Sequence, residues 1–128
     1  MDLSKPQNSL VYDYTKHAIR EAQALVTSWG GQMVTMLIPT RKQVYRYITE
    51  PITGTDRLAI HDDAYTAMLG LCTELDLTCF DPLPQLQAFA QHGDLLYYAE
   101  DLHLNPRGNA ILAEPLWGWL GGQRLLYD

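Results

Sequence analysis

The stretch Gln32-Met-Val-Thr-Met-Leu-Ile38 is a nearly continuous apolar run that ends at Pro39. A short apolar run of this kind predicts a strand that is buried on both faces, as the strands of a parallel sheet are. In the preceding segment, 8–29, apolar residues recur mainly every three to five positions, and glycines follow at once. This spacing predicts a helix that stops at the glycines and leads into the strand.

The rest of the chain alternates between helical and strand-like patterns. The predicted elements are a polar loop over 39–57 with one helical turn near 42–47, a helix from the capping residues Asp62 and Asp63 to about 75, strands over 77–80 and 94–98, helices over 84–91 and 108–120, and a short strand or extended arm over 123–128. Strands that alternate with helices predict right-handed crossovers and a parallel sheet, so the expected fold class is α/β. Three strands are few for such a sheet, which predicts an incomplete fold.

The composition is that of a soluble globular protein, with 128 residues for one domain, 47% hydrophobic residues and 19% charged residues. The net charge of −6 and the scattered Lys and Arg residues argue against a nucleic-acid partner. No apolar run approaches the roughly 20 residues of a membrane helix. The N-terminal MDLSKPQNSL has no apolar signal-peptide core, and the compartment is left open.

Two cysteines, Cys72 and Cys79, lie in apolar surroundings. Buried free thiols are the favoured interpretation, and a disulfide between them is the open alternative. His61, Asp62 and Asp63 carry metal-ligand groups, but helix capping accounts for both aspartates. We therefore expect no metal and no cofactor.

The stretch richest in chemistry is Tyr98-Ala-Glu-Asp-Leu-His-Leu-Asn-Pro-Arg-Gly108, between the last predicted strand and the last predicted helix. A carboxylate two residues before a histidine can hold one ring nitrogen, which fixes the tautomer of a general base. The competing interpretation is that Asp101 and His103 only cap the helix.

The segment from Asp101 to Ala113 resembles the final conserved block of the SGNH/GDSL hydrolase family, in which an acid shortly precedes a histidine and a glycine follows five residues later. The segment from Met36 to Tyr45 looks like the strand and loop of family branches that include polysaccharide O-acetyltransferase-like proteins. The resemblance spans roughly 9–120 and implies a three-layer, flavodoxin-like α/β fold with a short parallel sheet.

The resemblance also implies roles for individual residues. His103 would be the general base and Asp101 its orienting acid, with Glu100 as the alternate acid and Asn105 and Gly108 as the supporting loop. The family's nucleophile is a serine in a Gly-Asp-Ser-like turn, and none of Ser4, Ser9 and Ser28 lies in such a turn. We therefore expect the single domain over 1–128 to be the C-terminal half of a longer hydrolase, inactive alone.

The leading hypothesis is an ester hydrolase or acyltransferase fragment that acts on a small-molecule ester or an acylated carbohydrate. One alternative is a non-catalytic binding module with an aromatic surface formed by Tyr97, Tyr98, Trp117 and Trp119. A weaker alternative is a metal-dependent hydrolase that uses His61, Asp62 and His103. Arg41 and Lys42 could steer an anionic substrate or simply be solvated. The unpaired edge of an incomplete sheet predicts a homodimer or higher oligomer.

Overall fold

The computed structural model of the protein describes residues 5–126. The elements in chain order are α1 (Pro6–Ser28), β1 (Val34–Met36), α2 (Arg41–Val44), α3 (Arg46–Thr53), α4 (Thr55–Glu74), β2 (Thr78–Phe80), α5 (Leu83–Gln91) and α6 (Pro106–Gly122). The described part of the chain is therefore mostly helical. No helix in it combines the length and the apolar character needed to cross a bilayer.

The sheet consists of β1 and β2, which pair in parallel with Val34 opposite Thr78 and Met36 opposite Phe80. Both strands were predicted from short apolar runs, and the helices between them make the connection that a parallel pair requires. The parallel α/β arrangement is thus confirmed for these two strands.

The third predicted strand, 94–98, is wrong. Tyr97 forms only an isolated antiparallel bridge with Leu104. The backbone of this segment is bonded elsewhere, because Leu96 N–H donates to the Tyr45 hydroxyl at 2.6 Å and Leu96 C=O accepts from Asn105 N–H at 2.9 Å. An apolar run predicts burial, but a strand also needs a partner that takes these backbone groups.

Helices α4 and α6 contact opposite faces of β2. Cys79 is joined to Cys72 of α4, whereas the next residue, Phe80, packs against Trp119 of α6 with ring centroids 5.2 Å apart. Successive side chains of a strand point to opposite faces, so the strand lies between the two helices.

The preferred interpretation of the cysteines as free thiols is wrong, because Cys72 and Cys79 form a disulfide. Their Cα atoms lie 6.0 Å apart, within the usual range for such a bond. The chain turns back sharply between α4 and β2, which brings together two cysteines only seven positions apart in sequence.

The segment 39–57 is largely helical, so the predicted loop is wrong apart from its helical turn. Thr40 caps α2 through a reciprocal capping box with Gln43, a pattern visible in the sequence as Thr-x-x-Gln. The caps assigned to Asp62 and Asp63 are also wrong, because α4 begins at Thr55 and both aspartates lie inside it.

The other predicted helices are confirmed within a few residues as α1, α5 and α6. The tail is not a strand over 123–126, and 127–128 lie outside the described residues. The main core cluster joins α2, α5 and α6 with the segment just before the stretch 98–108. Its buried members are Val44, Leu86, Ala90, Leu96, Tyr97 and Ile111.

We predict that Gly108→Ala destabilises the protein by about 1–3 kcal/mol, the usual cost of overpacking. A Cβ atom at Gly108 would lie 2.2 Å from the Leu96 carbonyl oxygen, so the start of α6 would have to move. The matched control is Gly118→Ala in the same helix, where a Cβ meets nothing within 4 Å. This control should gain about 0.5–1 kcal/mol from helix propensity. Urea unfolding measures both, and equal effects would contradict the close approach.

We predict that the purified, unreduced protein has no titratable thiol and a mass lower by two hydrogen atoms than the reduced chain. Replacing both cysteines by serine should lower the free energy of unfolding by about 2–3 kcal/mol, as the loop-entropy model gives for a loop this short. Intact-mass spectrometry and chemical unfolding test this. Two reactive thiols in the native, unreduced protein would contradict the bond.

Candidate active site

A short loop between Tyr97 and Leu104 presents the acid and the histidine. The loop is closed by the bridge between those two residues and by Tyr98 N–H donating to His103 C=O at 3.1 Å. Below it lies the main core cluster, to which Tyr97 belongs and against which Leu104 packs. The loop is therefore anchored at its base and exposed at its tip.

Asn105 joins this loop to α6. Its side-chain N–H groups donate to the carbonyl oxygens of Leu95 at 2.7 Å and Tyr97 at 3.3 Å, and its Oδ1 accepts from Gly108 N–H at 2.9 Å. Asn105 is thus the N-cap of α6. The interpretation that Asp101 and His103 cap the helix is wrong, because Asn105 has that role.

Asp101 and His103 contact each other directly. One carboxylate oxygen, Oδ1, accepts from the His103 backbone N–H at 2.9 Å and also bonds Nδ1 of the imidazole ring. The two-residue spacing makes this double contact local. The side chain of His103 is 85% exposed, whereas that of Asp101 is 52% exposed.

The hydrogen bond from the His103 backbone amide, together with that from the ring, lowers the pKa of Asp101 below its ordinary value. The carboxylate is therefore ionised at neutral pH and can only accept hydrogen bonds. The ring nitrogen that faces it, Nδ1, must be the donor. In the neutral ring, Nε2 then carries the free lone pair, as a general base requires.

The other segment that carries the family resemblance lies against this loop. The Arg41 guanidinium, at the start of α2, donates to the carbonyl oxygens of Tyr98 at 3.2 Å and Ala99 at 2.6 Å. The Tyr97 hydroxyl donates to the Pro39 carbonyl oxygen at 2.6 Å, and burial raises the pKa of Tyr97 to about 12. Two segments nearly sixty residues apart in sequence thus form one unit.

An open depression of about 610 Å³ runs beside the loop between Arg41, Tyr45 and Arg107. It shares Tyr98 and Ala99 with a second depression of about 490 Å³ that Glu100 and Asp101 line. The two depressions adjoin at these shared residues, and we call them together the groove, which Asp101 also lines.

The remaining predicted site residues lie in different places. Glu100 is exposed and lines the second depression, and among the described contacts only Asp101 bonds the His103 ring. Gly108 is buried against the Leu96 carbonyl. Of the four aromatic residues, Tyr97 is buried and Trp119 packs on Phe80, while Tyr98 and Trp117 are exposed. They do not form one continuous aromatic surface.

The metal-site alternative finds no support in the geometry. Asp62 forms an ion pair with Arg46 at 2.8 Å and accepts a hydrogen bond from Gln43, so its carboxylate is already engaged within the protein. Among residues 5–126, no three His, Cys, Asp or Glu side chains are grouped as a metal would need.

Two side chains hold the loop through contacts that the sequence does not predict. Tyr45 bonds both Leu96 N–H and the Asp94 carbonyl oxygen, and Arg41 holds the carbonyls next to Glu100. Tyr45 ends the segment that carries the resemblance, but no spacing rule connects it with a residue about fifty positions later. Such pairings appear only once the chain is folded.

The described serines do not lie where a nucleophile is expected. Ser9 and Ser28 both belong to α1, and the Ser28 hydroxyl donates to the Leu25 carbonyl oxygen at 2.7 Å within the last helical turn. A serine nucleophile usually sits on a sharp turn from a strand to a helix. Ser4 lies outside the described residues.

Comparison with protein-family models matches residues 2–118 to the family described as ALGX, an SGNH hydrolase-like domain of the acetyltransferase AlgX. Comparisons with curated proteins and with solved structures each gave no match. The matched range includes both segments that carry the resemblance and nearly the whole chain. This chain therefore belongs to the SGNH hydrolase-like family of the acetyltransferase AlgX.

Proposed function

We propose that this chain provides the acid–base half of an acyl-transfer or ester-hydrolysis site. In this proposal Asp101 orients His103, and His103 activates a hydroxyl nucleophile that neither Ser9 nor Ser28 supplies. The observation that carries the proposal is the double contact of one Asp101 oxygen with the backbone and the ring of His103. Membership in an SGNH hydrolase-like, acetyltransferase-type family supports it.

The chemistry follows from the free lone pair on Nε2. His103 would take the proton of the attacking hydroxyl as its oxygen bonds the ester carbonyl carbon. The protonated ring, stabilised by ionised Asp101, would return that proton to the leaving alcohol as the tetrahedral intermediate collapses. A second alcohol then takes the acyl group in a transferase, and water takes it in a hydrolase.

We propose that the substrate is an acylated carbohydrate or another small ester, and that it approaches along the groove described above. Tyr98 is half exposed there and offers a ring against which a sugar can stack. Arg41 supplies a positive charge beside the same groove, although two of its hydrogen bonds are already made to backbone carbonyls. The helices on both faces of β2 support a three-layer arrangement. In this arrangement the site lies near Pro39, which follows the end of β1.

One test of this proposal concerns the tautomer of His103. At a pH at which the ring is neutral, we expect Nδ1 to carry the proton, because the facing carboxylate can only accept. Asp101→Ala should abolish this preference, and the matched control Glu100→Ala should preserve it. The nitrogen-15 chemical shifts of the ring distinguish the two tautomers. A change caused by Glu100→Ala instead would make Glu100 the orienting acid.

Ester turnover by the isolated chain provides a second test. Because the proposed nucleophile is not supplied by Ser9 or Ser28, we expect the wild type and His103→Ala to hydrolyse p-nitrophenyl acetate at the same low rate, whereas a complete site would lose on the order of a hundredfold with His103→Ala, the lower end of a positioned general base's contribution. The matched control is His17→Ala, at an exposed histidine on α1. A wild-type rate that His103→Ala lowers and His17→Ala leaves unchanged would contradict the expectation that the nucleophile is missing.

Reaction with a fluorophosphonate, followed by intact mass, tests the origin of the nucleophile separately. We expect no adduct on this chain, because the hydroxyl of Ser28 is bonded within its own helix and Ser9 lies near the helix start. A stoichiometric adduct that disappears in His103→Ala would show that a serine of this chain completes the site.

A further inference from the structure

Helix α1 presents a docked face and an outward face along its 23 residues. One face lies against the C-terminal end of α4, where the Tyr12 hydroxyl and the Lys16 ammonium both bond Glu74 and the Gln23 amide donates to the Leu75 carbonyl oxygen at 3.4 Å. These docking contacts are polar, and no residue of α1 is fully buried. The burial of α1 against the rest of the described chain is therefore slight.

The outward face carries most of the exposed apolar side chains of α1. At about 100° per residue, seven apolar side chains fall within an arc of about 120°. These residues, which we call the α1 stripe, are Leu10, Val11, Tyr14, Ala18, Ala22, Leu25 and Trp29. Tyr14 is 68% exposed, Leu25 is 52% exposed and Trp29 is 75% exposed. A continuous exposed apolar stripe of this length is typical of an interaction surface.

We propose that the α1 stripe is a dimerisation surface, against which α1 of a second copy of this chain packs in antiparallel orientation. The order of side-chain sizes along the stripe is nearly the same read from either end. Bulky residues stand at both ends, and the small Ala18 and Ala22 stand in the middle. A two-fold axis near residue 20 places Ala18 opposite Ala22, Tyr14 opposite Leu25, and Val11 opposite Trp29 of the second copy.

This pairing lets two helices approach closely at the centre, where the alanines meet, while the large side chains interlock on either side. An isologous contact requires such self-complementarity, because each residue of the surface must face its own counterpart on the other chain. A parallel arrangement would instead set Ala18 against Ala18 and Trp29 against Trp29, so that each large side chain would face an identical one.

The polar groups along one edge of the stripe agree with the same arrangement. His17 and Glu21 lie on this edge, one helical turn apart. The two-fold axis places His17 of one copy near Glu21 of the other, and the reverse pair forms symmetrically. The imidazole of each copy thus lies near a carboxylate of the other copy at the border of the apolar contact.

A lipid surface fits the α1 stripe less well than a second copy does. Helices that lie on membranes carry Lys and Arg on their polar face and depend partly on attraction to anionic lipids. Here Lys16 is bonded to Glu74 on the docked face, and the chain as a whole has a net charge of −6. The order of side-chain sizes along the stripe also favours a second copy.

The test uses the intact 128-residue chain in sedimentation equilibrium across micromolar concentrations. We expect the wild type to form a dimer reversibly. Tyr14→Glu and Leu25→Lys should each weaken the association by on the order of tenfold or more, because either change buries an unpaired charge in the interface. Trp117→Glu is the matched control, since this exposed aromatic residue lies on α6 and should leave the dimer intact.

Mixing the two charged variants tests the orientation. In the mixed dimer, Glu at 14 of one chain meets Lys at 25 of the other, while the second contact keeps the native Tyr14 and Leu25. An equimolar mixture should therefore dimerise when neither variant does so alone. Circular dichroism of each variant checks that the fold is kept, as expected for changes at exposed positions.

A wild type that stays monomeric at every concentration would overturn the proposal and leave the α1 stripe to another polypeptide segment or another partner. A dimer that tolerates both charged substitutions, or that Trp117→Glu dissociates, would place the interface elsewhere and overturn it as well. Failure of the mixture to dimerise would exclude the antiparallel arrangement. None of these outcomes depends on the ester chemistry, which is measured separately.

Discussion

The candidate site depends on the hydrogen bonds of the Asn105 side-chain amide. This amide donates to two carbonyl oxygens of the preceding apolar segment and accepts from Gly108 at the start of α6. Each bond contributes on the order of 1 kcal/mol in net stability, but together they fix where the helix begins relative to the loop. The close approach of Gly108 to the Leu96 carbonyl is the steric side of the same constraint. Asp101 and His103 are exposed, and the loop that carries them is attached to the core through these bonds.

The features that the sequence predicts well are those set by local physics. The period of α1, the short apolar runs of β1 and β2, and the two-residue spacing of Asp101 and His103 each involve neighbours in sequence. The features it misses depend on distant partners. The apolar segment 94–98 has the composition of a strand, yet its backbone groups bond the side chains of Tyr45, Arg41 and Asn105. The capping box of α2 is an exception, since Thr40-x-x-Gln43 is a local pattern of the sequence itself.

The contrast between local and distant contacts also explains why Asp101 can contact His103 although the described serines, Ser9 and Ser28, lie elsewhere in α1. The backbone N–H and ring of His103 reach one oxygen of Asp101 across a single intervening residue, so the pair needs only a closed loop to form. A nucleophile and an oxyanion hole depend on a different turn and on donors placed about 3 Å from the reacting atoms. The positions of a nucleophile and an oxyanion hole therefore depend on tertiary structure and not on the sequence of this loop.

The exposure of His103 adds a requirement for the proposed chemistry. With 85% of its side chain in solvent, the ring is oriented but not shielded. Electrostatic stabilisation of a transition state is far stronger where fixed dipoles replace water than at an open surface. Whatever surface supplies the nucleophile must therefore also cover the imidazole. Tyr98 and Arg41 border the groove that Asp101 also lines, so in this proposal the covering surface and the substrate would meet the protein along the same edge.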